Sequence, residues 1–284
     1  DVGSQRNDPF RGKRKHHLPA DLVHEFQLRR NSFGACPRDT GYEDARKLYN
    51  AMIDKRPLMI ARCVDTADVI HAVRFGRENN LLTAIRGGGH NGPGLGSCND
   101  GLVIDLSLMK GVRVDPANRT VRVAGGCTQG DVDHAAHAFG LAVPAGLIST
   151  TGIGGLTLGG GHGYLARRYG LTIDNLLEAD VVLADGSPVI ASESQHEDLF
   201  WALRGGGGNF GVVTSFVFKG RPVSTVYGGP IFWDLKDGQR VMKWYRRFLP
   251  EAPVELSPFL GLQTVPSTEP FPKEIWGKKI CALV

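Results

Sequence analysis

The first part of the chain combines short apolar runs with one clear helical period. Residues 57–61 form an apolar run that predicts a short buried strand. Four apolar residues between positions 69 and 75 follow a period near 3.6, which predicts a helix, and Asp65 or Thr66 can cap its N-terminus. A second apolar run over residues 81–85 predicts another strand and leads directly into three glycines. The pattern therefore predicts a βαβ unit that ends in a glycine-rich loop.

The middle of the chain has the pattern of antiparallel strands with scattered helices. Apolar runs at 102–106, 120–124 and 211–218 predict strands, and residues 129–139 predict a helix that Gly140 ends. Asp185-Gly186, between apolar runs at 180–184 and 189–191, is typical of a hairpin turn, and a short helix is predicted over 196–203. One βαβ unit accompanied by antiparallel strands indicates an α+β fold rather than a doubly wound sheet.

Composition divides the chain into three parts. Residues 1–50 are polar and irregular apart from a helix predicted around 41–50, whereas residues 51–221 carry the glycine-rich motifs. Residues 222–284 are rich in proline and contain an amphipathic helix predicted over 238–249. The last four residues resemble the beginning of a strand, so we expect residues 222–284 to be the incomplete start of a second domain.

Net charge, apolar runs and cysteine spacing argue against several classes of protein. The net charge of +4 owes much to a basic cluster at residues 11–17, which is typical of a solvated tail more often than of a nucleic-acid site. No apolar run reaches the roughly eighteen residues of a membrane span, and the first residues lack the apolar core of a signal peptide. The five cysteines show no paired spacing, so we expect neither a metal site nor a disulfide framework. Nucleic acid and membrane are not expected as partners, and a cytoplasmic localisation is favoured.

Glycine is the unusual feature of the composition. The chain has 38 glycines, bunched at residues 86–96, 152–163 and 204–211. Residues 161–166 and 206–211 match the dinucleotide pattern G-x-G-x-x-G/A, but neither lies between a predicted strand and a following helix. A nicotinamide site is therefore disfavoured. Consecutive glycines can present converging backbone amides to an anion, and three separate loops suit a long ligand that carries a pyrophosphate.

Six motifs follow one another in this part of the chain. They are IRGGGHN at 85–91, VIDL at 103–106, PAG at 144–146, TGIGGLTLGGGHGY at 151–164, YGLTIDN at 169–175 and DLFWALRGGGGNFG at 198–211. Their order resembles that of the berberine bridge enzyme-like, FAD-linked oxidases of the vanillyl-alcohol oxidase / p-cresol methylhydroxylase (PCMH) superfamily. The resemblance covers roughly residues 20–220 and implies a PCMH-type FAD-binding domain over 51–221. It also implies that 222–284 begin a substrate-binding α+β domain.

The resemblance implies a set of residues around the flavin. His90 would be bonded covalently to the flavin 8α-methyl carbon, and it would be the only tether because Ile148 stands where many members have a second, cysteine tether. His162 and Tyr164 are expected either near the isoalloxazine or as ordinary packing residues, while Asp105 and Trp201 are expected to be structural, the latter as a core aromatic. The implied cofactor-binding residues are Arg86, Gly87, Gly88, Gly89, His90, Asn91, Ser149, Thr150, Thr151, Gly152, Gly155, Gly159, Gly161, His162, Gly163, Tyr164, Asp174, Asn175, Val212 and Val213.

The resemblance also implies a reaction. A small-molecule substrate would lose hydride from a C–H bond next to oxygen or nitrogen, and dioxygen would reoxidise the flavin to give hydrogen peroxide. The general base is expected outside this chain, so no catalytic residue is assigned. Two alternatives stay open, an FAD dehydrogenase that uses another acceptor and a flavin-binding fragment without turnover.

Overall fold

The structure is a computed structural model that describes residues 34–223 and 225–284. The basic cluster at residues 11–17 and most of the N-terminal segment 1–50 lie outside the described residues. Within the described ranges, one parallel βαβ unit is combined with antiparallel sheets and separate helices, which is the α+β fold that the sequence predicts. The longest described helix has 13 residues, and no described helix is long and apolar enough to cross a membrane.

The first sheet contains the predicted βαβ unit. Its strands are β1 (Gly34–Ala35), β2 (Met59–Arg62), β3 (Thr83–Arg86) and β4 (Leu102–Asp105), in the order β1-β2-β4-β3. Helix α1 (Tyr42–Ala45) precedes β2, and helix α2 (Thr66–Glu78) joins β2 to β3. Both β2 and β3 run parallel to β4, which lies between them. The carboxyl ends of three parallel strands therefore meet at one edge.

The strands of this sheet are apolar on both faces because both faces are covered. Met59 and Ala61 of β2 belong to a core that reaches the second sheet, whereas Ile60 belongs to a core on the opposite face with Tyr42. Helix α2 begins as predicted, since the Asp65 carboxylate accepts the amide hydrogen bond of Asp68 at 2.9 Å.

The second sheet is antiparallel and has five strands. They are β5 (Val112–Asp115), β6 (Thr120–Ala124), β8 (Leu176–Val182), β9 (Pro188–Ser192) and β10 (Val212–Lys219), in the order β5-β6-β10-β8-β9. The predicted hairpin is confirmed, with Gly186 in its turn at φ +83°. Along β6, Val121 and Val123 are buried while Arg122 lies on the open face with Glu178. One face therefore carries the core and the other meets solvent.

Three helices belong to the core face of this sheet. They are α3 (Gln129–His137), α4 (Ile153–Leu158) and α6 (Glu197–Leu203). Helix α3 has a reciprocal capping box between Thr128 and Asp131. Between α4 and β8 lie α5 (Ala166–Tyr169) and a 3₁₀ helix (Thr172–Asn175), and β7 (Leu141–Ala142) pairs with β11 (Arg221–Pro222).

The C-terminal part of the chain forms a third sheet. Strands β12 (Ile231–Asp234), β13 (Leu260–Thr264) and β14 (Lys279–Leu283) are antiparallel, with β14 in the middle. Helix α7 (Gly238–Phe248) confirms the predicted amphipathic helix and packs against β14. Short 3₁₀ helices occupy Leu235–Asp237, Leu249–Glu251 and Lys273–Ile275. The domain boundary near residue 221 stays a prediction.

Two predictions need correction. The helix expected around 41–50 is only α1, and the chain then follows an irregular path to Pro57. Trp201 is not a core aromatic, since 76% of its surface is exposed. Helix α6 buries Phe200 and Leu203, which lie three positions apart on one face. Trp201 therefore falls outside the buried face of this short helix.

Candidate functional site

Two glycine-rich loops meet backbone to backbone beside the first sheet. A Cβ added to Gly88, in the loop after β3, would lie 2.3 Å from the amide nitrogen of Gly152. A Cβ added to Gly152, the N-cap of α4, would lie 2.2 Å from the amide nitrogen of Gly88. Real side chains do not tolerate such distances, so this contact needs glycine on both sides. The first two glycine clusters of the sequence therefore form one surface.

His90 lies next to this contact and is held on three sides. Its Nε2 is 3.1 Å from the hydroxyl of Thr150, and its Nδ1 is 3.4 Å from the hydroxyl of Thr151. The ring of Tyr49 stacks on the imidazole with 3.9 Å between centroids and 17° between planes. The half-buried imidazole is therefore oriented by contacts to both nitrogens and to one ring face.

Arg86 and Asp105 form a buried ion pair at the carboxyl ends of β3 and β4. The two residues are register partners, and Arg86 Nη2 donates to Asp105 Oδ2 at 2.8 Å. The other carboxylate oxygen accepts from the Ser107 amide at 3.0 Å, so Asp105 is the structural strand-end carboxylate that the sequence indicates. Arg86 Nη1 is buried and has no hydrogen-bond partner. A buried guanidinium nitrogen without a hydrogen-bond acceptor costs free energy of desolvation, so its presence indicates a site where an anionic group binds.

A cleft of about 410 Å³ opens at the carboxyl ends of the parallel strands. The residues that line it include Tyr49, Arg62, Arg86 and the three glycines of the loop after β3. Gly87 leaves room here, because a Cβ at this position would meet only the carbonyl oxygen of Gly125, at 3.7 Å. The exposed backbone amides of the glycines and the unpaired Nη1 of Arg86 are donors that fit the pyrophosphate of a dinucleotide cofactor.

The second loop divides into residues that face outward and residues that pack on the protein. Ser149, Thr150, Gly155 and Gly159 are exposed, and a Cβ at Gly155 would meet nothing within 4 Å. In contrast, a Cβ at Gly161 would lie 2.1 Å from the Thr172 hydroxyl. At Gly163 it would lie 1.8 Å from the carbonyl oxygen of Ala145. Gly161 and Gly163 are therefore required by the packing of the loop itself.

His162 and Tyr164 share an aromatic neighbour from the C-terminal part. Both rings meet Phe259 edge-on, each with 5.3 Å between centroids. No pattern in the sequence marks Phe259, because it precedes β13 in a segment without regular periodicity. Sequence reasoning also missed Tyr49, which it placed in the helix predicted around residues 41–50 and not in the site. The positions of His162 and Tyr164 relative to a flavin stay a prediction.

The remaining predicted site residues use their side chains within the protein. The Asn91 side-chain oxygen accepts from the Leu95 amide at 2.9 Å, and the Asp174 carboxylate accepts from the Leu171 amide at 2.7 Å. Asn175 is fully buried, and its side-chain oxygen accepts from Arg221 Nε at 2.8 Å. Val212 and Val213 belong to the two largest cores. Contacts between these residues and a cofactor stay predictions.

The third glycine cluster joins the second rather than the first. Its Gly207 amide donates to the carbonyl oxygen of Leu158, the last residue of α4, at 3.0 Å. Helix α6 precedes the cluster and β10 follows it. This order confirms that the cluster lacks the strand-then-helix context of a nicotinamide fingerprint.

Comparisons with known proteins agree with this geometry. A family model described as an FAD binding domain matches residues 57–192. The uncharacterized FAD-linked oxidoreductase YgaK of Bacillus subtilis (strain 168) is 38% identical over 242 residues, which are 84% of this chain and 52% of YgaK. The structure superposes on 6-hydroxy-D-nicotine oxidase from Arthrobacter nicotinovorans with a TM-score of 0.81 and 31% identity, covering 89% of this chain and 54% of that one. It superposes on BBE-like 1 of Physcomitrella patens with a TM-score of 0.79 and 28% identity, covering 92% of this chain and 55% of that one.

The fold and the site together define an FAD-binding domain of the PCMH type. The chain belongs to the FAD-linked oxidoreductases that include 6-hydroxynicotine oxidase and the berberine bridge enzyme-like proteins. It spans about half the length of the relatives named above.

Proposed function

We propose that this chain is the flavin-binding part of an oxidase. The enzyme would take hydride from a C–H bond next to oxygen or nitrogen in a small-molecule substrate, and dioxygen would accept the electrons as hydrogen peroxide. The similarity to 6-hydroxy-D-nicotine oxidase supports an oxidase of a small organic molecule. The cofactor supplies the redox chemistry when bound, while the protein orients it and the substrate. We assign no catalytic base among the described residues.

The contact between Gly88 and Gly152 is the observation that carries this proposal. It joins two loops that are distant in sequence into one surface, with the unpaired Arg86 Nη1 and the oriented imidazole of His90 close by. Arg86 and the amides of the glycine loop would hold the pyrophosphate of FAD. Asp105 keeps Arg86 in place, because its carboxylate pairs with the other guanidinium nitrogen.

His90 is proposed as the single covalent tether. An imidazole nitrogen of His90 would take the place of one hydrogen on the flavin 8α-methyl carbon, and that carbon and the nitrogen would each lose a proton. The bound flavin would take up the two electrons of the broken C–H bond, and dioxygen would accept them together with two protons as hydrogen peroxide. Ile148, an exposed side chain in the second loop, has no thiol for a second bond. Burial raises the pKa of the described cysteine thiols, that of Cys63 to about 12. Because the thiolate is the nucleophile, this shift disfavours a tether through sulfur.

The test is acid precipitation of the purified protein. Yellow colour should stay with the wild-type pellet and leave with the supernatant of His90→Ala. His134→Ala, which removes an exposed imidazole from α3, should behave like wild type. Colour released by the wild type would refute the tether but not FAD binding.

A second measurement separates the oxidase from its alternatives. Peroxide release under air, with candidate amines and alcohols as substrates, is expected of the oxidase. Turnover only with a dye acceptor would identify a dehydrogenase, and bound flavin that no substrate reduces would identify a binding part without turnover.

A further inference from the structure

The segment before β2 is fastened along the loop that carries His90. Four hydrogen bonds from this segment end on backbone carbonyls of the loop: Tyr49 N to Gly89 O at 3.2 Å, Asn50 Nδ2 to Gly92 O at 3.0 Å, and Lys55 Nζ to Gly94 O at 2.7 Å and to Ser97 O at 3.0 Å. Side chains and backbone both contribute, so residues 49–55 and 89–97 form one unit. The sequence does not predict this contact, because it places Tyr49 and Asn50 in the N-terminal segment and residues 89–97 in the glycine-rich part.

Tyr49 holds a position that burial does not explain. Its side chain is 67% exposed, so it is not a core residue. Its ring nevertheless lies nearly parallel to the His90 imidazole at 3.9 Å. Such a stack is worth about 0.5–1.5 kcal/mol beyond the area it buries. The contact with His90 is therefore the feature that accounts for the orientation of this exposed ring.

The stack and the two threonines restrict different motions of the imidazole. Tyr49 fixes the plane of the ring, while the hydroxyls of Thr150 and Thr151 fix its rotation within that plane. A neutral imidazole has one donor and one acceptor nitrogen, and hydroxyl groups can serve either. In either neutral tautomer the unprotonated nitrogen faces one of the two threonine hydroxyls, and this contact sets the direction of its lone pair before any bond forms.

We infer that Tyr49 is a positioning residue for the attachment of the flavin. By holding the His90 imidazole in the plane that Thr150 and Thr151 require, it keeps the reacting nitrogen aligned for bond formation. The inference rests on the proposed tether at His90 and assigns no proton or electron transfer to Tyr49. The bond that forms is the one described above.

The test compares rates of attachment in the full chain purified without flavin. FAD is added, and acid-stable flavin fluorescence of the denatured protein is followed with time. Tyr49→Ala should attach the flavin about two- to tenfold more slowly, which is the stacking contribution expressed as a rate. Tyr49→Phe keeps the ring and should attach at the wild-type rate. Equal rates for Tyr49→Ala and the wild type would overturn the positioning role.

A second readout monitors the imidazole without flavin. In the wild type and in Tyr49→Phe, ring currents should shift the His90 proton resonances upfield, and in Tyr49→Ala this shift should vanish. Tyr49→Phe should have the wild-type urea midpoint, and Tyr49→Ala should lose no more stability than the stacking contribution, because Tyr49 is otherwise largely exposed. A wild type that binds FAD but never becomes acid-stable would overturn the tether and this role together. Normal wild-type attachment with an unchanged Tyr49→Ala rate would overturn this role alone.

Discussion

Gly88 and Gly152 lie so close that an added Cβ on either would reach within 2.3 Å of the other's amide nitrogen. The obstacle in each case is backbone, which cannot turn aside as a long side chain can. Glycine at these two positions is therefore a condition for closing the two loops on each other. The proposed cofactor surface depends on that closure, because Arg86 and His90 flank Gly88 on one loop and Thr150 and Thr151 precede Gly152 on the other.

Gly88→Ala should weaken both the fold and FAD binding. Separating two packed backbones to admit a methyl group costs about 1–3 kcal/mol, as overpacking of a core does. The free energy of unfolding, from urea denaturation without flavin, measures the loss of stability. Fluorescence titration with FAD measures the loss of affinity.

Gly111→Ala is the matched control for this substitution. A Cβ at Gly111 would meet nothing within 4 Å, and the residue does not have a positive φ. Its stability and FAD affinity should equal those of the wild type. If Gly88→Ala had the same stability and FAD affinity as Gly111→Ala, the close contact between the backbones of Gly88 and Gly152 would not be required for the fold or for FAD binding.

Arg167→Ala should loosen the segment that carries Phe259. The Arg167 guanidinium donates to four backbone carbonyls, those of Leu249, Ala252, Pro253 and Leu256, at 2.5–3.2 Å. One hydrogen bond to a charged group is worth about 1.5–3 kcal/mol, so amides of residues 251–260 should exchange hydrogen at least about tenfold faster. Hydrogen exchange with mass spectrometry measures this change.

The neighbouring Arg168 offers a control of the same residue type. It faces Glu255 across 3.6 Å, and both side chains are about half exposed. Surface pairs contribute about 0–1 kcal/mol, so Arg168→Ala should leave exchange in this segment nearly unchanged. Equal effects of the two substitutions would show that overall charge, and not the four carbonyl contacts, holds the segment.

Cys63 should make stability fall in alkaline solution. Burial, helped by the nearby carboxylates of Asp68, Asp105 and Asp65, raises the thiol pKa from 9.0 to about 12. The folded state keeps the proton that the unfolded state releases, so this contribution is fully present below pH 9 and is lost as pH rises towards 12. Between pH 8 and 10.5 the wild type should lose about 2 kcal/mol more than Cys63→Ala.

Urea denaturation at the two pH values measures this difference. The cavity that Cys63→Ala creates lowers stability equally at both pH values and therefore cancels in the comparison. A wild type and variant with the same alkaline loss would contradict the buried, protonated thiol.

Local sequence signals predicted much of the fold correctly. The helical period from Val69 to Phe75, the cap at Asp65 and the turn at Asp185-Gly186 all correspond to observed elements. These signals succeed because each depends on which side of one element is buried or on the backbone of one turn. Helix α4 is different, since two of its six residues are glycines that disfavour helices. Buried Ile153 and Leu158 hold it against the second sheet.

The sequence by itself predicted a long ligand that carries a pyrophosphate, because the runs of glycine beside Arg86 and His90 can present converging backbone amides to an anion. The tertiary structure decided which glycines have open space beside them, as Gly155 does, and which are required by the protein's own packing, as Gly163 is. It also brought Tyr49 to His90 and Phe259 to Tyr164. Such contacts follow from the packing of whole elements, and no local period in the chain encodes them.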